Sequence, residues 1–265
     1  MIHPTAIIDA KAKIAADVEI GPYSIIGAHV EIGAGTRIGP HVVIKGPTRI
    51  GRDNQIFQFA SLGDATQALG QEPEKGVLEI GDRNIIREYA TMNRGSSSST
   101  GVTRIGNDSL FMAYTHVAHD CVLGDHIIFS NAATIAGHVE IGDYAILGGF
   151  TAVHQFVRIG AHSFSGFSAA INRDVPPYVI VSGNHASAYG INKEGLKRRN
   201  FPADTIRALH KAYMTLVKSR QKREDAIKAL EPLISQYAEV AAFVEFIQQS
   251  QRGIVRASKA GDADE

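Results

Sequence analysis

Cysteine is almost absent from this sequence, and so are long apolar runs. The single cysteine, Cys121, cannot form an internal disulfide, which excludes a disulfide framework and favours a reducing compartment. No segment holds eighteen consecutive apolar residues, as a membrane-spanning helix requires. The N-terminus has no basic segment followed by an apolar one, as a signal peptide would. We therefore expect a soluble, cytoplasmic protein without an integral membrane segment.

The chain also has no excess of charge of either sign. Lys plus Arg and Asp plus Glu both number 27, so the bulk charge does not indicate nucleic acid or an anionic membrane as a partner. At 265 residues, the chain is long enough for one large domain, or for one domain with a smaller appendage.

What the sequence does contain is a large apolar side chain at every sixth position. This ladder runs from Ile8 to Leu62, resumes over 80–86, and continues from Ile105 to Ile171 one residue out of phase. The residue four positions after each ladder residue is nearly always small or β-branched. Helices need apolar residues every three to four positions and half-buried strands every two. A period of six instead predicts short strands joined by corners, which is typical of a parallel β-helix.

The ladder resembles that of the hexapeptide-repeat acyltransferases, whose fold is a left-handed parallel β-helix with three hexads per coil. The resemblance therefore implies a mainly β fold, a left-handed parallel β-helix over residues 1–185, with excursion loops near 63–79 and 93–104. From about residue 186 the apolar spacing becomes three and four. This spacing predicts a C-terminal α-helical domain over 186–265, with Pro202 at a helix start.

Three hexads per coil would place each residue beside the one eighteen positions later, about 4.8 Å away. The tripeptides AHD, AGH and HQF then lie on three neighbouring coils. His119, Gly137 and Gln155 each follow a ladder residue by two positions, so we expect them to form one outward-facing column. His138 and His154 lie beside this column.

The resulting polar patch suits proton transfer next to a developing oxyanion. Imidazole titrates near neutrality, so His119 is a candidate general base. The Gly137 N–H is a candidate donor to an oxyanion, because glycine lets a ligand approach the backbone. Asp120 could orient the imidazole, but adjacent residues of an extended chain point apart, so the sequence leaves this contact open. Cys121 falls in the inward small column, where we expect it to be buried and inert.

Two other functions fit the same pattern. The γ-class carbonic anhydrases also build a hexapeptide β-helix and bind zinc through histidines, so His116 and His119 could be metal ligands. We expect no metal, because a zinc site would leave the helical C-terminal third unexplained. A catalytically inactive assembly scaffold is the other alternative.

Longer motifs are more specific than the hexads. The segments HVAHDC, AGHVEIGDYAILGG, AVHQF, DVPPYVIVSGNHA and GLKRRNF resemble the branch of the hexapeptide-repeat acyltransferases that acylates UDP-N-acetylglucosamine. The resemblance implies transfer of an (R)-3-hydroxyacyl chain from acyl carrier protein to the sugar 3-hydroxyl, in lipid A biosynthesis. It also implies a homotrimer with sites between subunits, no cofactor, and no acyl-enzyme. The ladder begins at Ile8, so we expect no preceding nucleotide-binding domain.

The resemblance also assigns roles to individual residues. His119 is the general base, and the Gly137 N–H stabilises the oxyanion. The residues matching substrate-contacting positions are His116, His138, His154, Gln155 and Gln67, and those matching the nucleotide end are Asn192, Glu194, Arg198 and Arg199. The last group also has a physical basis, because it lies in a local cationic cluster that suits a pyrophosphate or an acidic protein surface.

Two departures from the family pattern affect substrate choice. The family's first loop carries an Asp-Leu-Lys triplet, where this chain has Ala-Leu-Gly at 68–70. Glu74 or Lys75 could replace the missing groups, or the acceptor could be an amino sugar that gives an amide.

The second departure concerns acyl length. Long-chain members of the family often have glycine at the position of Phe167, above Asn131 and Gly149. A phenyl ring would close a channel that glycine leaves open, so we predict a shorter preferred chain. The alternative is that Phe167 packs against a neighbouring subunit. His185 is a second candidate for contact with the acyl chain.

Overall fold

The computed structural model describes residues 1–70, 76–219 and 221–257. Short strands wind round three parallel sheets, and each coil contributes one strand to each sheet. We number the sheets in the order in which the chain enters them. The region between two consecutive sheets is called the 1–2, 2–3 or 3–1 corner.

The strands of each sheet follow in the order of the coils. Sheet 1 contains β1 (Ile7–Ile8), β4 (Ile25–Ile26), β7 (Val43–Ile44), β10 (Ser61–Asp64), β13 (Thr91–Asn93), β16 (His116–Val117), β19 (Thr134–Ile135), β22 (Ala152–Val153) and β25 (Ala170–Ile171). Sheet 2 contains β2 (Lys13–Ile14), β5 (Val30–Ile32), β8 (Thr48–Ile50), β11 (Val77–Ile80), β14 (Val102–Ile105), β17 (Val122–Leu123), β20 (Glu140–Ile141) and β23 (Arg158–Ile159). Sheet 3 contains β3 (Glu19–Ile20), β6 (Arg37–Ile38), β9 (Gln55–Ile56), β12 (Ile85–Ile86), β15 (Leu110–Phe111), β18 (Ile128–Phe129), β21 (Ile146–Leu147), β24 (Phe164–Ser165), β26 (Val179–Ser182) and β27 (Ser187–Ile191).

The strand register confirms the spacing of eighteen residues per coil. Val117 pairs with Ile135, and Ile135 pairs with Val153. These ladder residues point into the coil and are no more than 4% exposed. Their burial is the main source of stability, since each buried aliphatic side chain contributes roughly 1.5 to 3 kcal/mol.

Both excursions leave the coil at the 1–2 corner. The first joins β10 to β11 and the second joins β13 to β14, so each replaces one turn between sheets 1 and 2. Because corners of successive coils stack, the excursions and the corner that contains His119 lie in one column along the β-helix.

The corners also share an unusual backbone conformation. Residues three positions after a ladder residue have positive φ, as at Asp120 (58°), His138 (60°) and Phe156 (63°). Non-glycine residues adopt this left-handed region uncommonly. The conformation turns the chain sharply between sheets, and it sets where the corner side chains point.

The C-terminal part is helical, but its helices begin later than the sequence pattern placed them. Strand β27 pairs antiparallel with β26, so it covers the edge of sheet 3 with residues that the sequence pattern assigns to the helical part. The helices are α1 (Lys193–Arg198), α2 (Ala203–Tyr213), which continues as a π-helical turn (Met214–Lys218), α3 (Arg223–Lys228), α4 (Glu231–Gln236) and α5 (Ala238–Gln249). Pro202 directly precedes α2, as predicted. Within the described ranges, no helix has the length and apolar character needed to cross a membrane.

Candidate active site

Three stacked 1–2 corners bring His119, Gly137 and Gln155 onto neighbouring coils. Only Gln155 is exposed, whereas the His119 side chain is 17% exposed and Gly137 is buried. The expected outward-facing column is therefore partly wrong. The reason is that the His119 ring lies over Gly137, where a Cβ would come within 2.5 Å of His119 Cε1. In the described residues the Gly137 N–H donates no hydrogen bond.

Asp120 contacts His119, which answers the question that the sequence left open. His119 Nδ1 lies 2.8 Å from Asp120 Oδ2. Adjacent side chains usually diverge in extended chain, but the positive φ of Asp120 (58°) turns its carboxylate back toward the imidazole. The contact fixes which imidazole nitrogen faces the carboxylate and leaves Nε2 for another partner.

The Asp120 carboxylate is fully buried, with a side-chain exposure of 0%. Burial alone would raise its pKa, but hydrogen bonds outweigh this effect and lower the pKa below the ordinary value of 3.8. The donors are Ser96, His119 and Thr100. Asp120 is therefore a carboxylate at neutral pH.

His138 and His116 surround the pair. The His138 ring meets His119 edge to face, with centroids 5.1 Å apart, and stacks on Phe156 at 4.4 Å. His116 Nδ1 lies 2.8 Å from Thr91 Oγ1. Burial lowers the pKa of both His138 and His116, so both are neutral hydrogen-bonding groups near pH 7.

His154 and Gln155 form the exposed rim of this cluster. Arg252 Nη2 approaches His154 Nδ1 at 3.2 Å, which brings the C-terminal part to the 1–2 corner. Sequence reasoning missed Arg252, because it lies outside the repeat and has no register that would place it beside His154.

The first excursion carries Gln67 at the same corner, on an earlier coil. Gln67 is exposed and makes none of the hydrogen bonds that join the histidine cluster. Leu69, in the same excursion, is 97% exposed. Glu74 and Lys75 lie outside the described residues.

The residues predicted for the nucleotide lie at the 2–3 corner, on or beside α1. Asn192 is buried, and its side chain caps α1 by accepting a hydrogen bond from Gly195 N at 3.1 Å. Glu194 pairs with Lys197 at 2.8 Å on the surface. Arg199 lies over the Tyr144 ring, 4.8 Å from its centroid.

Arg198 is exposed, like Glu194. Within one chain, therefore, the predicted nucleotide residues and the His119 cluster occupy different corners.

Phe167 lies at the 3–1 corner, on the other side of sheet 1 from His119. Its ring is 71% exposed and meets Phe150 edge to face, with centroids 5.5 Å apart. A Cβ on Gly149 would lie 3.5 Å from Phe167 Cδ2, so the two positions are in one column, as expected. His185, which follows β26, is also exposed.

The three groups His119, Asp120 and His138 could in principle hold a metal, since their ligand atoms lie within 4.8 Å of one another. The carboxylate, however, already accepts five hydrogen bonds within the described residues. These contacts fit an orienting carboxylate better than a metal ligand. Metal analysis of the purified protein tests the zinc alternative, which a stoichiometric zinc would favour.

Cys121 is buried, as predicted, and its Sγ lies 3.2 Å from Ala136 O. Burial raises the pKa of the thiol to about 12. The thiolate, which is the nucleophilic form, is therefore negligible at neutral pH.

Comparisons with known proteins agree with this geometry. A family model described as UDP-N-acetylglucosamine O-acyltransferase, domain 2, matches residues 174–255, and a bacterial transferase hexapeptide model matches residues 1–34. A relative from Halorhodospira halophila is 52% identical over 96% of this chain and 99% of its own length. Another from a Janthinobacterium strain is 52% identical over 97% and 99%. Both are named as UDP-N-acetylglucosamine O-acyltransferases that use acyl-acyl-carrier-protein.

Solved structures give the same result. LpxA from Acinetobacter baumannii superposes with a TM-score of 0.94 at 47% identity, over 96% of this chain and 99% of that one. The UDP-N-acetylglucosamine acyltransferase of Arabidopsis superposes with a TM-score of 0.83 at 30% identity, over 97% and 100%. Together with the hexapeptide match, they confirm the left-handed parallel β-helix.

Proposed function

The chain belongs to the UDP-N-acetylglucosamine O-acyltransferase family, and we propose that it transfers an (R)-3-hydroxyacyl chain from acyl carrier protein to the 3-hydroxyl of UDP-N-acetylglucosamine. This is the first step of lipid A biosynthesis. The proposal rests on the His119–Asp120 pair, in which Nδ1 lies 2.8 Å from Oδ2. Beside it is the N–H of Gly137, which has no hydrogen-bond partner among the described residues. Acyl transfer requires a general base close to a hydrogen-bond donor for the oxyanion.

His119 is the general base. Its Nδ1 faces Asp120, so Nε2 takes the proton from the sugar hydroxyl. The Asp120 carboxylate holds the imidazole in this orientation and stabilises the imidazolium that forms. His116 and His138, neutral near pH 7, act as hydrogen-bonding groups for the substrate.

The acceptor attacks the thioester directly. The sugar oxygen forms a bond to the carbonyl carbon while His119 takes its proton, and the Gly137 N–H donates to the resulting oxyanion. When the intermediate collapses, the C–S bond breaks and the thiolate takes the proton from His119. The products are the sugar ester and the free carrier-protein thiol. This reaction needs no acyl-enzyme and no cofactor. The protonated thiol of Cys121 supports direct transfer, because a thiol is a poor nucleophile.

The proposal assigns the substrate-binding residues to more than one corner of the chain. His154, Gln155 and Gln67 line the 1–2 corner on neighbouring coils, where the sugar would bind. Asn192, Glu194, Arg198 and Arg199 hold the nucleotide end. The acyl chain crosses sheet 1 toward Phe167, with His185 as a further contact. Because the nucleotide residues and His119 lie at different corners of one chain, a homotrimer with sites between subunits would join them.

We propose that the enzyme acts in the cytoplasm. Its substrates are a water-soluble nucleotide sugar and an acyl carrier protein, and the single cysteine is kept as a buried thiol.

The decisive experiment is an acyl-transfer assay that crosses several UDP-sugars with acyl carrier protein thioesters of several lengths. We expect UDP-N-acetylglucosamine to be esterified by the wild type. His119→Ala should lose at least about a hundredfold in kcat and still bind the nucleotide. His29→Ala, which changes an exposed corner histidine on an early coil, is the matched control. Turnover that survives His119→Ala would favour the scaffold alternative, and an amide product from a UDP-amino-sugar would favour N-acylation.

A further inference from the structure

The second excursion, residues 94–101, has a role beyond linking β13 to β14. We propose that Ser96 is a positioning residue of the His119–Asp120 pair and that this excursion acts as a clamp on the Asp120 carboxylate. The inference rests on the proposed function. It extends the catalytic machinery to a Ser/Gly-rich segment that no repeat pattern singles out.

The hydrogen bonds of the carboxylate carry the argument. Asp120 Oδ2 accepts from Ser96 N at 3.0 Å and from Ser96 Oγ at 2.6 Å. Asp120 Oδ1 accepts from Thr100 Oγ1 at 2.9 Å and from Gly101 N at 3.1 Å. Of the five hydrogen bonds that the described residues give the carboxylate, four therefore come from the excursion and one comes from His119. The orientation of the carboxylate is set by the excursion.

Because these groups are buried, the loss of one hydrogen bond should disturb the carboxylate. The Asp120 side chain is 0% exposed and Ser96 is 2% exposed, so water cannot replace a lost donor without rearrangement. A buried charged group left short of a partner costs more than an exposed one. The carboxylate would then move toward another donor and carry the imidazole with it.

Ser96 differs from Thr100 in which oxygen it holds. The Ser96 hydroxyl donates to Oδ2, the same oxygen that faces His119 Nδ1. Thr100 holds only Oδ1. Removing the Ser96 hydroxyl therefore changes the orientation and the charge of Oδ2, the oxygen that faces the imidazole. Removing the Thr100 hydroxyl affects Oδ1, which does not face it.

Steady-state kinetics of three variants test this ranking. We expect Ser96→Ala to lower kcat about tenfold or more, since small displacements of a catalytic group have large effects, with little change in KM for UDP-N-acetylglucosamine. Thr100→Val should lower kcat less. Ser98→Ala is the matched control, because Ser98 is exposed in the same excursion, and it should retain wild-type kcat. Ser96→Thr, which keeps the hydroxyl, should recover most of the loss.

A double-variant comparison separates positioning from a general effect on folding. If Ser96 acts through Asp120, Ser96→Ala should have no further effect on kcat in an Asp120→Ala background. A further loss of the same size in that background would overturn the inference, and so would a Ser96→Ala kcat within about twofold of wild type. Thermal unfolding of each variant shows whether it folds. If Ser96→Ala does not fold, the kcat values of Ser96→Thr and Thr100→Val, each compared with the wild type, decide. If the wild type itself does not turn over, the proposed function has failed, which is a distinct outcome.

Discussion

At the residue scale, Gly137 has to be glycine because of the His119 ring. Its missing side chain makes room for this ring, which a Cβ would approach to 2.5 Å. The close approach is to a ring that must keep its place, so the ring cannot simply swing away without loss of function.

We therefore predict that Gly137→Ala displaces the imidazole and lowers kcat by about a hundredfold. The φ of Gly137 is not in the left-handed region, so alanine adds no backbone strain and the folded state should survive. Gly27→Ala is the control, since its Cβ would come no closer than 3.3 Å to another atom, Ile44 O, on coils far from the site. Kinetics and thermal unfolding check both variants. Wild-type kcat in Gly137→Ala would contradict the placement of the ring.

Phe167 leads to a prediction about acyl length. Its ring stands 71% exposed at the end of the proposed acyl path, in the column of Gly149. Replacing it with glycine would open the 3–1 corner to a longer chain, so Phe167→Gly should shift the preferred acyl length upward by several carbons.

An assay of acyl carrier protein thioesters of increasing length measures this preference. Tyr189→Gly, which removes a ring 67% exposed on β27, serves as the control for lost surface area. An unchanged length preference in Phe167→Gly would exclude the ring as the determinant of chain length and leave subunit packing as its role.

At the element scale, the 2–3 corner is built from stacked rings that join the coils to α1. His162 lies between Tyr144, at 4.8 Å, and Tyr178, at 5.6 Å. Burial, with Arg199 as a further cause, lowers the pKa of His162 from 6.5 to about 4. Its Nδ1 is buried and has no hydrogen-bond partner among the residues that the structure describes.

This depressed pKa makes stability depend on pH. As the pH falls below about 6.5, the unfolded chain takes up a proton at His162 while the folded chain stays neutral until about pH 4. The folded state therefore loses stability as the pH falls through this window and gains it as the pH rises. His162→Phe keeps the stacked ring and removes the titration.

We expect the free energy of unfolding to fall less in His162→Phe than in the wild type between about pH 7 and pH 5. The difference should be about 1 kcal/mol, since partial exposure screens the charge. Urea unfolding at the two pH values measures it. His29→Phe, which changes an exposed corner histidine on an early coil, is the matched control. Equal losses in the wild type and His162→Phe would contradict the assignment to His162.

Part of the structure could be predicted from the six-residue period alone. The six-residue period was sufficient to place the strands, the buried ladder and the stacking of His119, Gly137 and Gln155, because each follows from counting along a regular coil. The contact between Asp120 and His119 did not follow, since it depends on a positive φ that the pattern does not specify.

Contacts made by segments outside the coil could not be predicted either. Ser96 and Arg252 reach the site from an excursion and from the C-terminal part, where no periodic register relates sequence distance to spatial distance. Strand β27 was missed for a related reason: five residues beside a helical segment carry too short an alternation to be separated from it.

At the scale of the whole molecule, aromatic side chains form an exposed stripe along the 3–1 corner. Its members are Tyr23, Phe59, Tyr89, Tyr114, Phe150 and Phe167, each between 43% and 71% exposed. The first four stack with His41 into a continuous column of rings about 5 Å apart. Contiguous apolar surface of this kind usually marks an interface. It supports the proposed association of chains with their β-helices side by side.

We predict that the protein is a trimer of about 86 kDa, three times 28.5 kDa, and that its activity falls on dilution as the chains separate. Sedimentation velocity and kcat over the same concentration range test this. Tyr89→Arg should weaken the assembly, because it puts an unpaired charge in the middle of the stripe. Tyr189→Arg, exposed outside that corner, should not. A fully active single chain would contradict both the trimer and a site shared between subunits, whereas a trimer insensitive to Tyr89→Arg would place the contact at another corner.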